Sequence, residues 1–387
     1  MSRVVFIIDM HLRMMSRWLK TRRIMDWCVA EYAEIQPDVI VLGDDLFHER
    51  PTVDELRAAA EWLRALADIA PVVGVVGNHD VPGVGRVLSL VKARHPILIV
   101  ERPGLHVVAG IEFALLPWPR KAELLALLGD AGSQEARNVG AELLLDVVRG
   151  FGTTSTHDGP RCFVGHVQLR GAKVSTGQPL APGADFELGL EDLSLARCWA
   201  YLLGHIHLPA DFEIAVPGAL SRGAPCLMGG SFRRTAYGEV EEKSLVVVDF
   251  NRDSWATARR IPIPCQLMLL LEAEWTGEQW DRDPYPPLDQ LSGSDIRFRY
   301  RYPKDQADAA HHAAESLRAG LLADGADAVK LDPQVIPGGD ARAPEVAKAR
   351  TVGEKLAALW KARGTTPDEN RQTRLLEKAS LLDTEVA

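Results

Sequence analysis

An α/β fold built around a mainly parallel sheet is what this sequence predicts, and three observations predict it. Short, continuously apolar, β-branched runs recur from the start of the chain through Asp80. Stretches of helical periodicity separate them. Residues able to do chemistry stand at the ends of the runs rather than within them.

The elements follow in order. Val4–Ile8 is the first run, and an uninterrupted apolar strand is one covered on both faces. Trp18 to Ala33 has helical periodicity. Val39–Leu42 is the second strand, and Thr52 to Leu66 carries Val53, Leu56, Ala60, Leu63 and Leu66 at three- and four-residue steps. Thr52 with Glu55 predicts a capping box there. Val72–Val76 closes a βαβαβ pattern. Further strands are expected at Phe113–Leu116, Cys162–Val164, Ala200–Leu203 and Leu245–Phe250, with a helix at Ala136–Val148 and a Gly- and Pro-rich loop at Gly171–Gly189.

Composition changes after Phe250. Ile261-Pro-Ile-Pro264 reads as a stiff connector, because proline fixes φ and opposes helix. Strands at Leu267–Leu271, Ile296–Tyr302 and Ala328–Leu331 and an Ala-rich helix at Ala307–Leu322 form a small α+β unit. The tail holds two helix candidates, the second opening on Thr366-Pro367-Asp368-Glu369 with threonine as the expected N-cap. The expected divisions are 1–260, 265–336 and 337–387.

The bulk properties bound the function. A length of 387 residues suits one large and one smaller domain, since single cores seldom grow past about 250–300 residues. The chain is 47% apolar and 25% charged, as in an ordinary globular protein. No apolar run reaches the roughly 18 residues of a membrane span. The N-terminus lacks the pattern of a signal peptide, so a cytoplasmic protein is expected. Five scattered cysteines, never spaced C-x-x-C, argue against a disulfide framework or a structural zinc site. The net charge of −9 supplies no general basic footprint for nucleic acid.

Five motifs carry the chemistry: Asp9-Met-His11, Gly43-Asp44-Asp45-Leu-Phe-His48, Gly77-Asn78-His79-Asp80, Gly165-His166 and Gly204-His205-Ile-His207. Each follows an apolar strand, so five strands deliver them to one rim at the carboxyl end of a sheet. Alternation along a strand would point Asp9 with His11 and His205 with His207. Six of the 11 histidines fall in these motifs. Imidazole, carboxylate and amide oxygen without thiolate suit divalent manganese, iron or zinc. One aspartate shared by two ligand sets can bridge a metal pair that hydrolyses phosphoesters. There is no Ser or Cys triad. The motifs leave open a phosphatase acting on small or protein-borne phosphate, and a non-catalytic assembly subunit.

In this order the motifs resemble those of the calcineurin-like metallophosphoesterase superfamily, and more narrowly those of SbcD-type DNA repair exonucleases. Leu42–Glu49, Leu116-Pro-Trp-Pro-Arg120 and the segment Tyr237-Gly-Glu239 through Phe250 carry the narrower likeness. The resemblance implies a helix-flanked β-sandwich, a smaller α+β capping domain and a helical tail. It implies one ion on Asp9, His11 and His207, and another on Asn78, His166 and His205, with Asp45 bridging. His79, beside His48, would stabilise charge and protonate the leaving oxygen. Two divalent ions, manganese by this likeness, DNA ends as substrate, an SbcC-type coiled-coil ATPase docked on the tail, a homodimer and a nucleoid location are further implications. Ile8 and Met10 depart from the family's usual serine and tryptophan, and Asp44 adds a carboxylate of unassigned role.

Two basic features admit DNA contact or a plain solvated face. Arg13, Arg17, Lys20, Arg22 and Arg23 run without an intervening acid. Arg297, Arg299 and Arg301 alternate with aromatics and share one strand face.

Overall fold

A computed structural model describes residues 2–14, 18–120, 134–175, 186–216, 223–251, 255–336, 346, 349, 351–364 and 366–384. Arg17, much of the Gly171–Gly189 stretch and the start of the tail lie outside the described residues. Contacts divide the chain into Met1–Leu269 and Leu270–Ala387.

The first unit holds two six-stranded sheets. One has β1 (Ser2–Ile7), β2 (Val39–Leu42), β3 (Val72–Val75) and β4 (Ile97–Val100) parallel to one another, with β13 (Ser244–Asn251) and β14 (Trp255–Pro262) added antiparallel beside β1. The other has the order β11 (Ala210–Ile214), β12 (Ala224–Met228), β10 (Ala200–Gly204), β7 (Arg161–His166), β6 (Ile111–Leu116) and β5 (Gly104–Val108). Its four central strands are parallel and its two edges antiparallel. A two-stranded ribbon, β8 (Gln168–Leu169) with β9 (Glu187–Leu188), follows β7.

Alternation along each strand explains why the runs are apolar throughout. Val4, Phe6 and Ile8 join Val41, Val73, Phe113, Val164 and Leu202 in the core between the sheets. Val5 and Ile7 face the other way, onto α1 (Trp18–Ile35) and α2 (Val53–Ala67), among Met25, Tyr32, Trp62 and Leu66. The second sheet buries its outer face against α4 (Gln134–Thr154) through Leu144, Val148 and Phe151. Short helices α3 (Val84–Leu88) and α5 (Leu190–Ser194) complete the unit. The result is a sandwich of two sheets with helices outside, the expected fold class. The Thr52–Glu55 capping box is present, with Glu55 N–H donating to Thr52 Oγ1 at 3.2 Å.

Two readings need correction. Ile261-Pro262 is not connector but the end of β14, paired with Leu245 and Ser244; proline is accommodated because β14 is an edge strand. The last helix is capped by Asp368 rather than Thr366, its Oδ1 accepting the Arg371 N–H at 2.9 Å. Aspartate caps at least as well as threonine, and Asp368 stands immediately before the helix, two residues nearer than Thr366.

The second unit has a three-stranded sheet, β15 (Met268–Glu274), β16 (Asp295–Pro303) and β17 (Ala328–Ile336), packed on α6 (Ala307–Ala323). Phe298, Tyr300 and Tyr302 point into its core with Trp275, Ala310 and Ala314. Arg299 pairs with Glu272 at 3.0 Å and Asp332 at 3.2 Å, and Arg301 with Glu274 at 3.4 Å. A salt-bridged, solvated sheet face accounts for these two arginines. Helices α7 (Val352–Arg363) and α8 (Glu369–Thr384) pack on each other. No helix among the described residues is long and apolar enough to cross a membrane.

Candidate metal centre

The carboxyl ends of β1, β2 and β3 from one sheet and of β7 and β10 from the other meet at one rim. There the structure brings together all nine residues singled out by sequence: Asp9, His11, Asp45, His48, Asn78, His79, His166, His205 and His207. The loops after β1 and β2 are knitted by His11 N–H to the Asp45 carbonyl (2.9 Å) and Leu12 N–H to the Leu46 carbonyl (2.8 Å). Asp80 adds a clamp that sequence reasoning left without a role: its carboxylate accepts N–H groups of Gly77 (3.0 Å) and Phe47 (3.2 Å).

Strand alternation is not what aims the ligands. Asp9, His11, Asp45 and His205 all lie beyond their strands with φ of 48°, 45°, 99° and 88°. Left-handed backbone costs a non-glycine residue on the order of 1–3 kcal/mol and persists where its surroundings enforce it. The close approach also demands glycine at two positions. A Cβ on Gly77 would overlap Asp45 Oδ1, and one on Gly204 would overlap the Gly43 carbonyl oxygen. Ile8 and Met10 are buried in the two core layers, which accounts for apolar residues at both positions.

The donor set fits divalent cations. Two ligand atoms about 2.1 Å from one ion and at right angles lie about 3.0 Å apart. His11 Nε2 and His207 Nε2 stand 2.9 Å apart, and Asn78 Oδ1 stands 3.0 Å from both His166 Nε2 and His205 Nδ1. Asp45 Oδ2 lies between the two groups, 3.4 Å from His166 Nε2 and 3.9 Å from His11 Nε2. Donor atoms of Asp9, His11 and Asp45 fall within 4.8 Å of one another, as do those of His11, His48 and His79. Asp9 Oδ2 and His11 Nδ1 are buried without a hydrogen-bond partner.

The electrostatics ask for added positive charge. Burial pushes the Asp9 and Asp44 carboxyls well up, and burial with the Asp45 charge lifts Asp80 to about 6. Burial alone would also raise Asp45, but His166 and the neighbouring imidazoles hold it well below the usual carboxylate range. Burial disfavours a charged His166, yet Asp45 and Asp9 outweigh it and raise the ring to about 10. Burial lowers His11 strongly, His205 to about 3 and His207 to about 4. Three neutral imidazoles with lone pairs thus surround a cluster of buried carboxyl groups beside one protonated ring, where a cation would take the place of bound protons. Asp44 stands among these carboxylates, and the groups of converging donor atoms include Asp45 and not Asp44.

Partners outside the cluster fix which nitrogen faces inward. The His166 Nδ1–H donates to the Gly43 carbonyl at 2.9 Å, leaving Nε2 toward Asn78 and Asp45. For His205, Nε2–H donates to Gln168 Oε1 at 3.0 Å and Nδ1 is turned inward. The Thr235 hydroxyl donates to Glu239 Oε1 at 2.8 Å, so its oxygen receives His207 Nδ1–H at 3.4 Å. Lys243 pairs with Glu239 at 2.7 Å and completes that chain. Sequence reasoning missed Gln168 and Thr235. The only sequence signals were their places two residues past His166 and just before Tyr237-Gly-Glu239. Gln168→Ala is expected to weaken Mn²⁺ affinity roughly 10–100-fold, the usual effect of removing a partner that orients a ligand. Isothermal titration would measure it, and an unchanged affinity would remove Gln168 from this role.

The basic residues near the site are largely paired. Arg13 contacts Glu49 at 3.0 Å, and Arg22 contacts Asp26 at 3.0 Å and Glu61 at 3.9 Å, as on a solvated face. Trp118, from Leu116-Pro-Trp-Pro-Arg120, lies 4.6 Å centroid to centroid from the His205 ring.

Parts of the chain are similar to known proteins. The DNA double-strand break repair protein Mre11 of Methanocaldococcus jannaschii is 25% identical over 183 residues, 46% of this chain and 43% of that protein. The chain therefore matches less than half the length of this curated relative. Among solved structures, a Thermus thermophilus protein has a TM-score of 0.38 and 12% identity, covering 67% of this chain and 98% of its own. A dimetal phosphatase from Danio rerio has 0.39 and 12%, covering 68% and 98%. Residues 2–209, more than half of the chain, match the calcineurin-like phosphoesterase family, whose members depend on a dinuclear metal centre. The chain belongs to the calcineurin-like phosphoesterase family.

Proposed function

We propose that this protein is a two-metal phosphodiesterase that cleaves DNA, working at DNA ends in repair. The observation that carries the reading is the placement of Asp45 between two donor groups whose internal spacings are those of shared coordination shells. In it, Asp9, His11 and His207 would hold one ion, Asn78, His166 and His205 would hold the other, and Asp45 would be shared. Bound there, two divalent cations, manganese by the family likeness, would supply Lewis-acid polarisation of the phosphodiester and an activated water.

The chain's own residues do the rest. Asp80 and the Gly43 carbonyl hold the ligand loops against each other. His79, exposed at the rim, keeps Nδ1–H on the His48 carbonyl at 2.7 Å. Its ring stacks on His48 at 5.6 Å. That bond leaves Nε2 to carry a proton to the leaving oxygen. The likeness to the Mre11 repair protein supports DNA over a small phosphomonoester. The alternative of a non-catalytic subunit is disfavoured because every ligand position is filled.

His79→Ala is expected to lower cleavage of end-labelled duplex DNA with Mn²⁺ by about 10²–10⁴-fold, the range for general acid–base groups, with metal content unchanged. Equal cleavage by both proteins would overturn this role. The partner implied by the SbcD likeness is a coiled-coil ATPase, with α7 and α8 as its helix-in-groove ligand. Removing residues after Gly364 should then abolish co-purification while small-diester hydrolysis persists; retained association would contradict the docking site.

A further inference from the structure

A cavity of about 660 Å³ opens beside the loop that carries Asn78 and His79. Val76 and Pro82, which bracket that loop, form part of its wall. Arg86, Arg102, Arg120 and His106 line it, and Glu101 is the one carboxylate among its described lining residues. In a chain of net charge −9, a concave surface with three guanidiniums to one carboxylate is a local concentration of positive charge.

We propose that this cavity is an anion subsite that takes a backbone phosphate of the bound polynucleotide, next along the strand from the phosphate at the metal centre. The inference rests on the phosphodiesterase reading above and names the part of the substrate that a small diester lacks. Guanidinium forks match phosphate oxygens in geometry as well as charge. Glu101 does not cancel the site. It is engaged with Arg86, accepting its N–H at 3.3 Å and facing Nε at 3.4 Å. Arg102 has no carboxylate at ion-pair distance among the described residues and is an exposed residue of the lining.

The cavity is also tied to the catalytic loop. Arg120 Nη2 donates to the Asp80 carbonyl at 2.6 Å, and the Trp118 N–H donates to the Val76 carbonyl at 3.0 Å. Thus Trp118 and Arg120, joined through Pro119, connect the His205 ring to the cavity wall. A phosphate held there sits beside the loop that carries Asn78 and His79, which would set the strand's register against the ions.

The test uses the full chain with Mn²⁺ and two substrates, bis(p-nitrophenyl) phosphate and an end-labelled DNA duplex. Arg102→Glu and Arg102→Ala are compared with Arg102→Lys, with melting curves to verify folding. For Arg102→Glu, kcat and KM on the small diester should stay within about twofold, while KM on DNA rises about 10-fold at unchanged kcat and the salt slope falls by roughly one. Arg102→Lys should recover most of the DNA affinity. Unchanged DNA KM and salt slope in an active nuclease would overturn the subsite and leave the nuclease reading standing. Loss of small-diester activity in Arg102→Glu would also overturn it, since the arginine would then act on the loop. Wild-type protein that hydrolyses the small diester but not DNA would remove the nuclease reading and the subsite with it.

Discussion

Asp45→Asn is expected to reduce Mn²⁺-dependent phosphodiester hydrolysis by on the order of 10³-fold or more, corresponding to several kcal/mol of metal-derived transition-state stabilisation. The expectation follows from position. Asp45 Oδ2 is the oxygen between the two donor groups, and Oδ1 accepts the His79 N–H at 2.8 Å. An amide keeps the size of the side chain and an acceptor for His79, but removes the charge that two cations share. Measured metal content should fall with activity. Asp44→Asn, altering a carboxylate outside the converging donor groups, should act far less. If Asp45→Asn retained wild-type activity and metal content, the bridge would be misassigned.

The second large effect is expected at Gly204. Its backbone lies against the Gly43 carbonyl, where the rims of the two sheets touch, and a Cβ there would also reach His166 Nδ1 at 2.8 Å. The same Gly43 oxygen accepts the His166 Nδ1–H. Gly204→Ala should therefore force the sheets apart and release the histidine together. Overpacking of this kind costs about 1–3 kcal/mol, and more when the obstacle is backbone. For a unit of this size that lowers Tm by roughly 5–10 °C. Differential scanning calorimetry with and without Mn²⁺ would read both losses: a lower apo Tm and a smaller shift on adding metal. An apo Tm equal to wild type would contradict the close approach.

Much of this was legible in the sequence because burial writes itself plainly into parallel strands. Val4–Ile8 and Val39–Leu42 read as strands since both faces are covered, and the ligands follow such runs. The edges were less legible. Gly104–Val108 and Ala210–Ile214 are partly exposed strands with no unbroken apolar run to mark them. Two features lay beyond sequence reasoning altogether. Left-handed backbone at Asp9, His11, Asp45 and His205 is tolerated by aspartate and histidine better than by most residues, but it is the tertiary contacts at the rim that enforce it. Gln168 and Thr235 matter only through the ring nitrogen each one faces, which depends on how β8 and the 231–239 loop fold back over the rim.

The central claim is that one rim, assembled from both sheets, holds two cations sharing Asp45. Manganese titration of the metal-free full chain, read by calorimetry and by metal analysis after gel filtration, tests it most directly. The account predicts two Mn²⁺ per chain in the wild type, with occupancy reduced in Asp45→Asn. Saturation at one ion, or at none, would contradict it.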